Sequence, residues 1–140
     1  MSEYVKMELD ISCKEDIIAA LEKMKKMANG NFDYQVHDTA VHLQGYEGSQ
    51  RPQVAEIIVP NKYVGGSAND LGFKYNEETK KWDMIISEFD RRGNLIGTFK
   101  QLCNLSMMER VAKKKMMKVE LVSQPLTALK QKQKIKIRVR

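Results

Sequence analysis

The stretch VHLQGYEGSQRPQVAEIIVP, residues 41–60, decides how the middle of the chain is read. Val41 and Leu43 alternate with His42 and Gln44, the period of a strand with one buried face. Gly45-Tyr46-Glu47-Gly48 breaks the alternation, Arg51-Pro52 follows, and a second apolar run begins at Val54. Val54 to Val59 is apolar on both faces, interrupted only by Glu56, which predicts a more central strand. An aromatic and an acid between two glycines are more than a bland turn needs. Glycine allows positive φ or close backbone approach. Tyr46 can stack on a ring, Glu47 can accept a hydrogen bond, and Arg51 is placed to meet an anion. The alternative is a β-bulge with Tyr46 folded over the sheet edge.

Upstream, a hairpin with Asp38-Thr39 as a two-residue turn pairs Val36 with Val41 and Tyr34 with Leu43 on one face. Asp33, Gln35, His37, His42 and Gln44 then share the other face. His37 and His42 come out diagonal, roughly 7 Å apart, near enough to share a metal with Asp33 or Asp38. Two solvated histidines are the commoner outcome, and no metal site is expected. Further back, Val5, Met7, Leu9 and Ile11 alternate with Lys6, Glu8 and Asp10, a half-buried strand from Tyr4 to Ile11. Ser12 and Glu15 read as a capping box. Ile17, Ile18, Leu21, Met24 and Ala28 recur at helical spacing, and Asn29-Gly30 closes the helix.

Downstream, Lys62 to Asp70 reads as a loop. Its Gly65-Gly66-Ser67 could cradle an anion in a nest of N–H groups, although a flexible loop is the default. Leu71–Tyr75 and Trp82–Phe89 read as strands joined by a polar turn at Asn76-Glu77-Glu78-Thr79. A second helix is expected from about Gly97 to Lys114, then an extended Met116–Val122, a connection at Pro125, and a last strand. In that strand Ile135, Ile137 and Val139 alternate with Lys134, Lys136, Arg138 and Arg140. The order predicts one α+β domain over residues 1–140, with a mostly antiparallel sheet and two helices packed to one side.

The stretches Q-G-Y-E-G, A-E-I-I-V, N-D-L-G-F-K-Y-N and W-D-M-I-I-S-E-F-D resemble the hypothetical chloroplast open reading frame 35 family, of plastids, cyanobacteria, other bacteria and some phages. The matching positions are Gly45, Tyr46, Gly48, Ala55, Glu56, Leu71, Gly72, Phe73, Tyr75, Asn76, Phe89 and Asp90. The resemblance covers most of residues 40–90 and implies the same α+β order but no chemistry. The lysine-rich 113-KKKMMK-118 and the terminal Lys/Arg strand depart from the family's pattern.

The 140 residues carry a net charge of +6, distributed unevenly. The basic helix-strand segment 110–140 has eleven Lys/Arg and one acid, Glu120, while residues 1–109 have more acids than bases. That asymmetry suggests an anionic partner, although lysines also serve as a solubilising fringe or as guards of a sheet edge. Same-face residues of a strand lie about 6.7 Å apart, so Lys134, Lys136, Arg138 and Arg140 make a comb suited to several phosphates. No phosphate loop, dinucleotide fingerprint, nucleophile elbow or zinc-protease motif is present. The paired acids Glu77-Glu78 and Glu88/Asp90 show no sign of burial. Cys13 and Cys103 form no C-x-x-C and, with no export signal, are expected reduced in a cytoplasm.

The expected function is therefore non-enzymatic binding, conceivably sequestration, of a small phosphorylated or nucleotide-like anion. Tyr46, Glu47, Arg51, Lys134, Lys136, Arg138 and Arg140 would hold it, with Tyr46 or Trp82 stacking on its base. No cofactor is expected. Partners are the small anion and further copies of the chain, with no membrane. The alternatives are nucleic-acid binding through the basic segment and an accessory protein-interaction module docking by sheet extension.

Overall fold

The structure is a computed structural model that describes residues 3–122, with side chains through Met117. Strands β1 (Tyr4–Glu8), β2 (Gln35–Gln44), β3 (Gln50–Val59), β4 (Leu71–Asn76) and β5 (Lys81–Ser87) form one sheet in the order β1-β5-β4-β3-β2. Every neighbouring pair is antiparallel. Helices α1 (Lys14–Met27) and α3 (Leu95–Val122) are long, whereas α2 (Asn61–Val64) is a single turn. Ile17, Leu21 and Met24 of α1 and Phe99 and Cys103 of α3 bury against Ile57, Phe73, Met84 and Ile86 of the sheet. The fold is α+β with an antiparallel sheet, as expected.

The first strand ends at Glu8 rather than Ile11, but Leu9 and Ile11 are buried as the alternation predicts, and the helix is closed by Asn29 and Gly30 at φ 51° and 89°. The capping box does not form. Cys13 is the N-cap residue and makes no capping bond to the backbone; its thiol donates to Glu15 Oε2 at 2.9 Å. Glu15 and Asp16 still place negative charge in the first turn, which the helix dipole favours.

The expected Asp38-Thr39 turn is absent, because two-residue hairpin turns need positive φ and neither residue supplies it. Strand β2 runs through, and the hairpin turn is Gly45–Ser49, where Gly48 takes φ 83°. Between Val36↔Ile57 and Val41↔Ala55, β2 advances five residues while β3 advances two, so residues 37–40 bulge from the edge. Val36 and Val41 are 44% and 37% exposed rather than part of the core. The expected extended segment Met116–Val122 is the last part of α3. Its Lys, Met, Glu and Leu are strong helix formers, and the preceding turns are already in place. The expected strand at residues 134–140 lies outside the described residues.

The distal half of the hairpin curls over the sheet face opposite the helices. Leu43, Ala55, Ile58 and Ile85 form a second buried cluster there, with Tyr4 packed against it. Gly72 makes the curl possible. A Cβ at this position would stand 2.7 Å from Ala55 Cβ and 3.0 Å from Leu43 Cδ2.

Asp16, with 3% of its side chain exposed, fastens α1 to α3 by accepting Arg110 Nε at 2.9 Å and Nη2 at 3.1 Å. Arg110 keeps 34% of its side chain in solvent. The two ends of this pair are therefore unequal. Arg110→Met strands a buried carboxylate, whereas Asp16→Asn leaves a guanidinium that water can reach. Thermal melts should show the larger loss for Arg110→Met; equal losses would mean that Asp16 is not dehydrated. Burial pushes the nearby Cys103 thiol up to about 12, which makes it a packing residue.

Candidate functional site

Buried side chains at the turn end of the sheet hold the G-Y-E-G segment. Asp70, 6% exposed, accepts the Gln44 amide on Oδ2 and the Asn61 amide on Oδ1, both at 2.8 Å, and its own amide donates to the Gln44 carbonyl at 2.9 Å. Burial pushes its carboxyl above the ordinary range, against the pull of the two amide donors. Asn69 Oδ1 accepts the Tyr46 amide at 3.2 Å, and Asn61 Nδ2 donates to the Gly45 carbonyl at 3.2 Å. Asn69 Nδ2 donates to Ser87 Oγ at 3.1 Å, and Asp90 Oδ2 accepts both the Asn69 amide at 2.9 Å and the Ser87 hydroxyl at 2.6 Å. The Tyr4 hydroxyl donates to the Asp70 carbonyl at 2.7 Å, closing the set onto β1. A buried network in which most groups are paired fixes one arrangement of backbone.

Along the outer edge of β2 this scaffold leaves an open groove of about 810 Å³. Gln35, His37, His42, Gln44 and Gln50 line it, with Asp70 at its base. His42 Nδ1 lies 2.9 Å from the Arg51 carbonyl. A carbonyl only accepts, so Nδ1 carries a proton and donates it there. His37 Nε2 lies 3.0 Å from Gln35 Oε1 and donates to it by the same reasoning. The groove is thus furnished with imidazoles and amides, groups that both give and take hydrogen bonds. Among the described residues no lysine or arginine lines it. No protein-family model, characterised protein or solved structure matches this chain.

Tyr46 sits in the hairpin turn, 53% exposed, with its backbone pinned by Asn69. A hydrogen bond with Glu47 raises its hydroxyl pKa. The pair is therefore internally bonded as well as accessible. Arg51 is turned onto the other sheet face, where its guanidinium carbon lies 4.9 Å from the Tyr4 ring centroid, a cation–π contact with a structural partner. Lys134, Lys136, Arg138 and Arg140 lie outside the described residues. Trp82, expected as a stacking platform, is 5% exposed and meets Tyr75 edge-on at 5.5 Å in the helix-side core. Gly65 is extended at φ 172°, and Gly30 and Gly48 are the positive-φ glycines among the described residues, so Gly65-Gly66-Ser67 lacks the alternation a nest requires.

His37 and His42 border the same groove, though not through the pairing that the sequence suggested. Among the described residues no group of three or more His, Cys, Asp or Glu could hold a metal ion. Nor is any helix among them long and apolar enough to cross a membrane. The sequence reading missed Gln50 and Asp70. A hairpin centred on Gly45–Ser49 was the available signal, since it sets Gln50 opposite Gln44.

Proposed function

We propose that this chain is a non-enzymatic binding protein for a small phosphorylated or nucleotide-like anion, seated in the groove along β2, and that it works as a homo-oligomer in a cytoplasm. The observation that carries the reading is the groove itself, about 810 Å³ and lined by two histidines and three glutamines. Small-ligand sites occupy about 300–1,000 Å³. Glutamine amides match the mixed donor and acceptor edge of a base, and each histidine, with one ring nitrogen bonded within the protein, can donate to phosphate from the other when protonated. Tyr46, exposed at the hairpin turn, supplies a ring for stacking. The cations of Lys134, Lys136, Arg138 and Arg140 complete the phosphate's neutralisation.

Isothermal titration with AMP, ADP and inorganic phosphate tests this. Binding of a nucleotide is expected, weakened at least about tenfold, or about 1.4 kcal/mol, by Gln35→Ala with His37→Ala. Both residues sit on the sheet edge, so the melting temperature should hold. Failure of every probe to bind at millimolar concentration, or full affinity in the double variant, removes the groove as the site. A steep power-law loss of single-stranded DNA affinity with salt, without nucleotide binding, would favour the nucleic-acid reading.

A further inference from the structure

Among the described residues the titratable groups lining the β2 groove are His37, His42 and Asp70, and its other polar side chains are the amides of Gln35, Gln44, Gln50 and Asn61. Charged groups on the surrounding elements are engaged elsewhere. Arg51 of β3 lies over the Tyr4 ring on the other sheet face, and Lys62 of α2 has its Nζ 5.0 Å from the Tyr63 ring centroid. Glu47 in the turn bonds Tyr46, Glu56 of β3 meets Lys74 at 3.6 Å, and Asp33 just before β2 meets Lys25 at 3.4 Å. Asp38 follows His37 in the bulge without lining the groove. An anion entering here meets the Asp70 carboxylate and, among the described residues, no fixed cation.

Hydrogen bonding restricts the histidines as well. A neutral imidazole has a single N–H. In His42 it goes to the Arg51 carbonyl, 2.9 Å from Nδ1, and in His37 it goes to Gln35 Oε1, 3.0 Å from Nε2. The second nitrogen of each ring therefore becomes a donor only by taking up a proton. The same uptake supplies the positive charge that the lining lacks.

We propose that an anion enters this groove together with protons, drawn from solvent onto His37 and His42, so that the site loads at lower pH and empties as pH rises. This rests on the groove being the seat of a phosphorylated ligand. The sign follows from linkage. A bound anion favours the protonated rings, so they titrate at higher pH in the complex, and affinity is lost as pH rises through that range. Imidazole is the side chain that changes charge between pH 5 and 8. Asp70 works in the same direction, because a carboxyl already pushed up by burial yields to an anion by taking a proton.

Isothermal titration of the full chain with AMP tests this at about pH 7 and about pH 8.5, both above the phosphate's own titration at about 6. Affinity is expected to fall at least about fivefold from the lower pH to the higher. Heats measured in two buffers of different ionisation heat should report uptake of about one proton per AMP between those values. His37 and His42 are the two histidines of the chain, so their imidazole signals can be followed directly by NMR. Both titration midpoints are expected to rise when AMP is present. Equal affinity at the two pH values without proton uptake overturns the proposal and leaves the groove as a nucleotide site. Proton uptake with unmoved imidazole midpoints also overturns it and places the proton on Asp70. If AMP binds at neither pH, the groove reading and this proposal fall together.

Discussion

Asp70→Ala should be the most damaging single substitution at the hairpin base, because it strands two buried backbone amides together. The Gln44 and Asn61 N–H groups each lose a 2.8 Å bond to a carboxylate, at a residue that is only 6% exposed. A stranded donor costs about 1–3 kcal/mol, so the pair costs about 4 kcal/mol, a large share of the ~5–15 kcal/mol that holds a domain together. Asp70→Asn keeps the shape but offers one carbonyl to two donors and turns its NH₂ against the other, so its loss should be about half as large. Urea denaturation of the three proteins orders them wild type, Asn, Ala. Hydrogen exchange should localise the Asn defect to residues 44–61. If Asp70→Ala unfolds at the wild-type midpoint, the carboxylate is not what holds the turn. If the Asn variant is as stable as wild type, charge and acceptor count are irrelevant there.

This fastening explains which parts of the fold were legible in the sequence. Alternation in Val5, Met7, Leu9 and Ile11, and helical spacing in Ile17, Leu21 and Met24, report a single buried face each, and those elements stand where the pattern put them. The Asp38-Thr39 turn was misread because Val36 and Val41 look like a buried pair, while the actual register is set elsewhere. Gly48 supplies the left-handed residue, and Asp70 and Asn69 bind the backbone at Gln44 and Tyr46. Those hydrogen bonds span 26 and 23 residues, and such contacts leave no periodic trace in a sequence. The G-Y-E-G segment is unusual as a sequence, and with Gln44 it meets Asn69, Asp70 and, through Asn69, Asp90 from the stretches that carry the family resemblance, but these groups largely bond one another. Of the expected site residues among the described ones, Tyr46 and Glu47 remain presented to solvent at the turn. Arg51 went to the Tyr4 ring because burying the hairpin's underside puts an aromatic beneath it.

Gly72→Val should be nearly as harmful as Asp70→Ala, by overcrowding rather than by loss. The hairpin lies against Gly72 so closely that even one methyl would stand 2.7 Å from Ala55 Cβ and 3.0 and 3.2 Å from the two Leu43 methyls. Leu43 and Ala55 are both fully buried, so neither can swing into solvent. The hairpin must lift instead, opening the small cluster of Leu43, Ala55, Ile58 and Ile85 and loosening Arg51 from Tyr4. Overpacking of this kind costs about 1–3 kcal/mol, with alanine at the low end and valine above it. A rescue separates this cause from a general intolerance of strand substitution. Ala55→Gly removes the nearest atom, so Gly72→Ala combined with Ala55→Gly should be more stable than the sum of the single losses allows. Strictly additive losses would show that the two residues do not touch. Because β2 carries both the Leu43 contact and the groove side chains His42 and Gln44, lifting the hairpin also disperses the groove. Nucleotide affinity should therefore fall in Gly72→Ala and return in the rescued double variant, although neither substitution lines the groove.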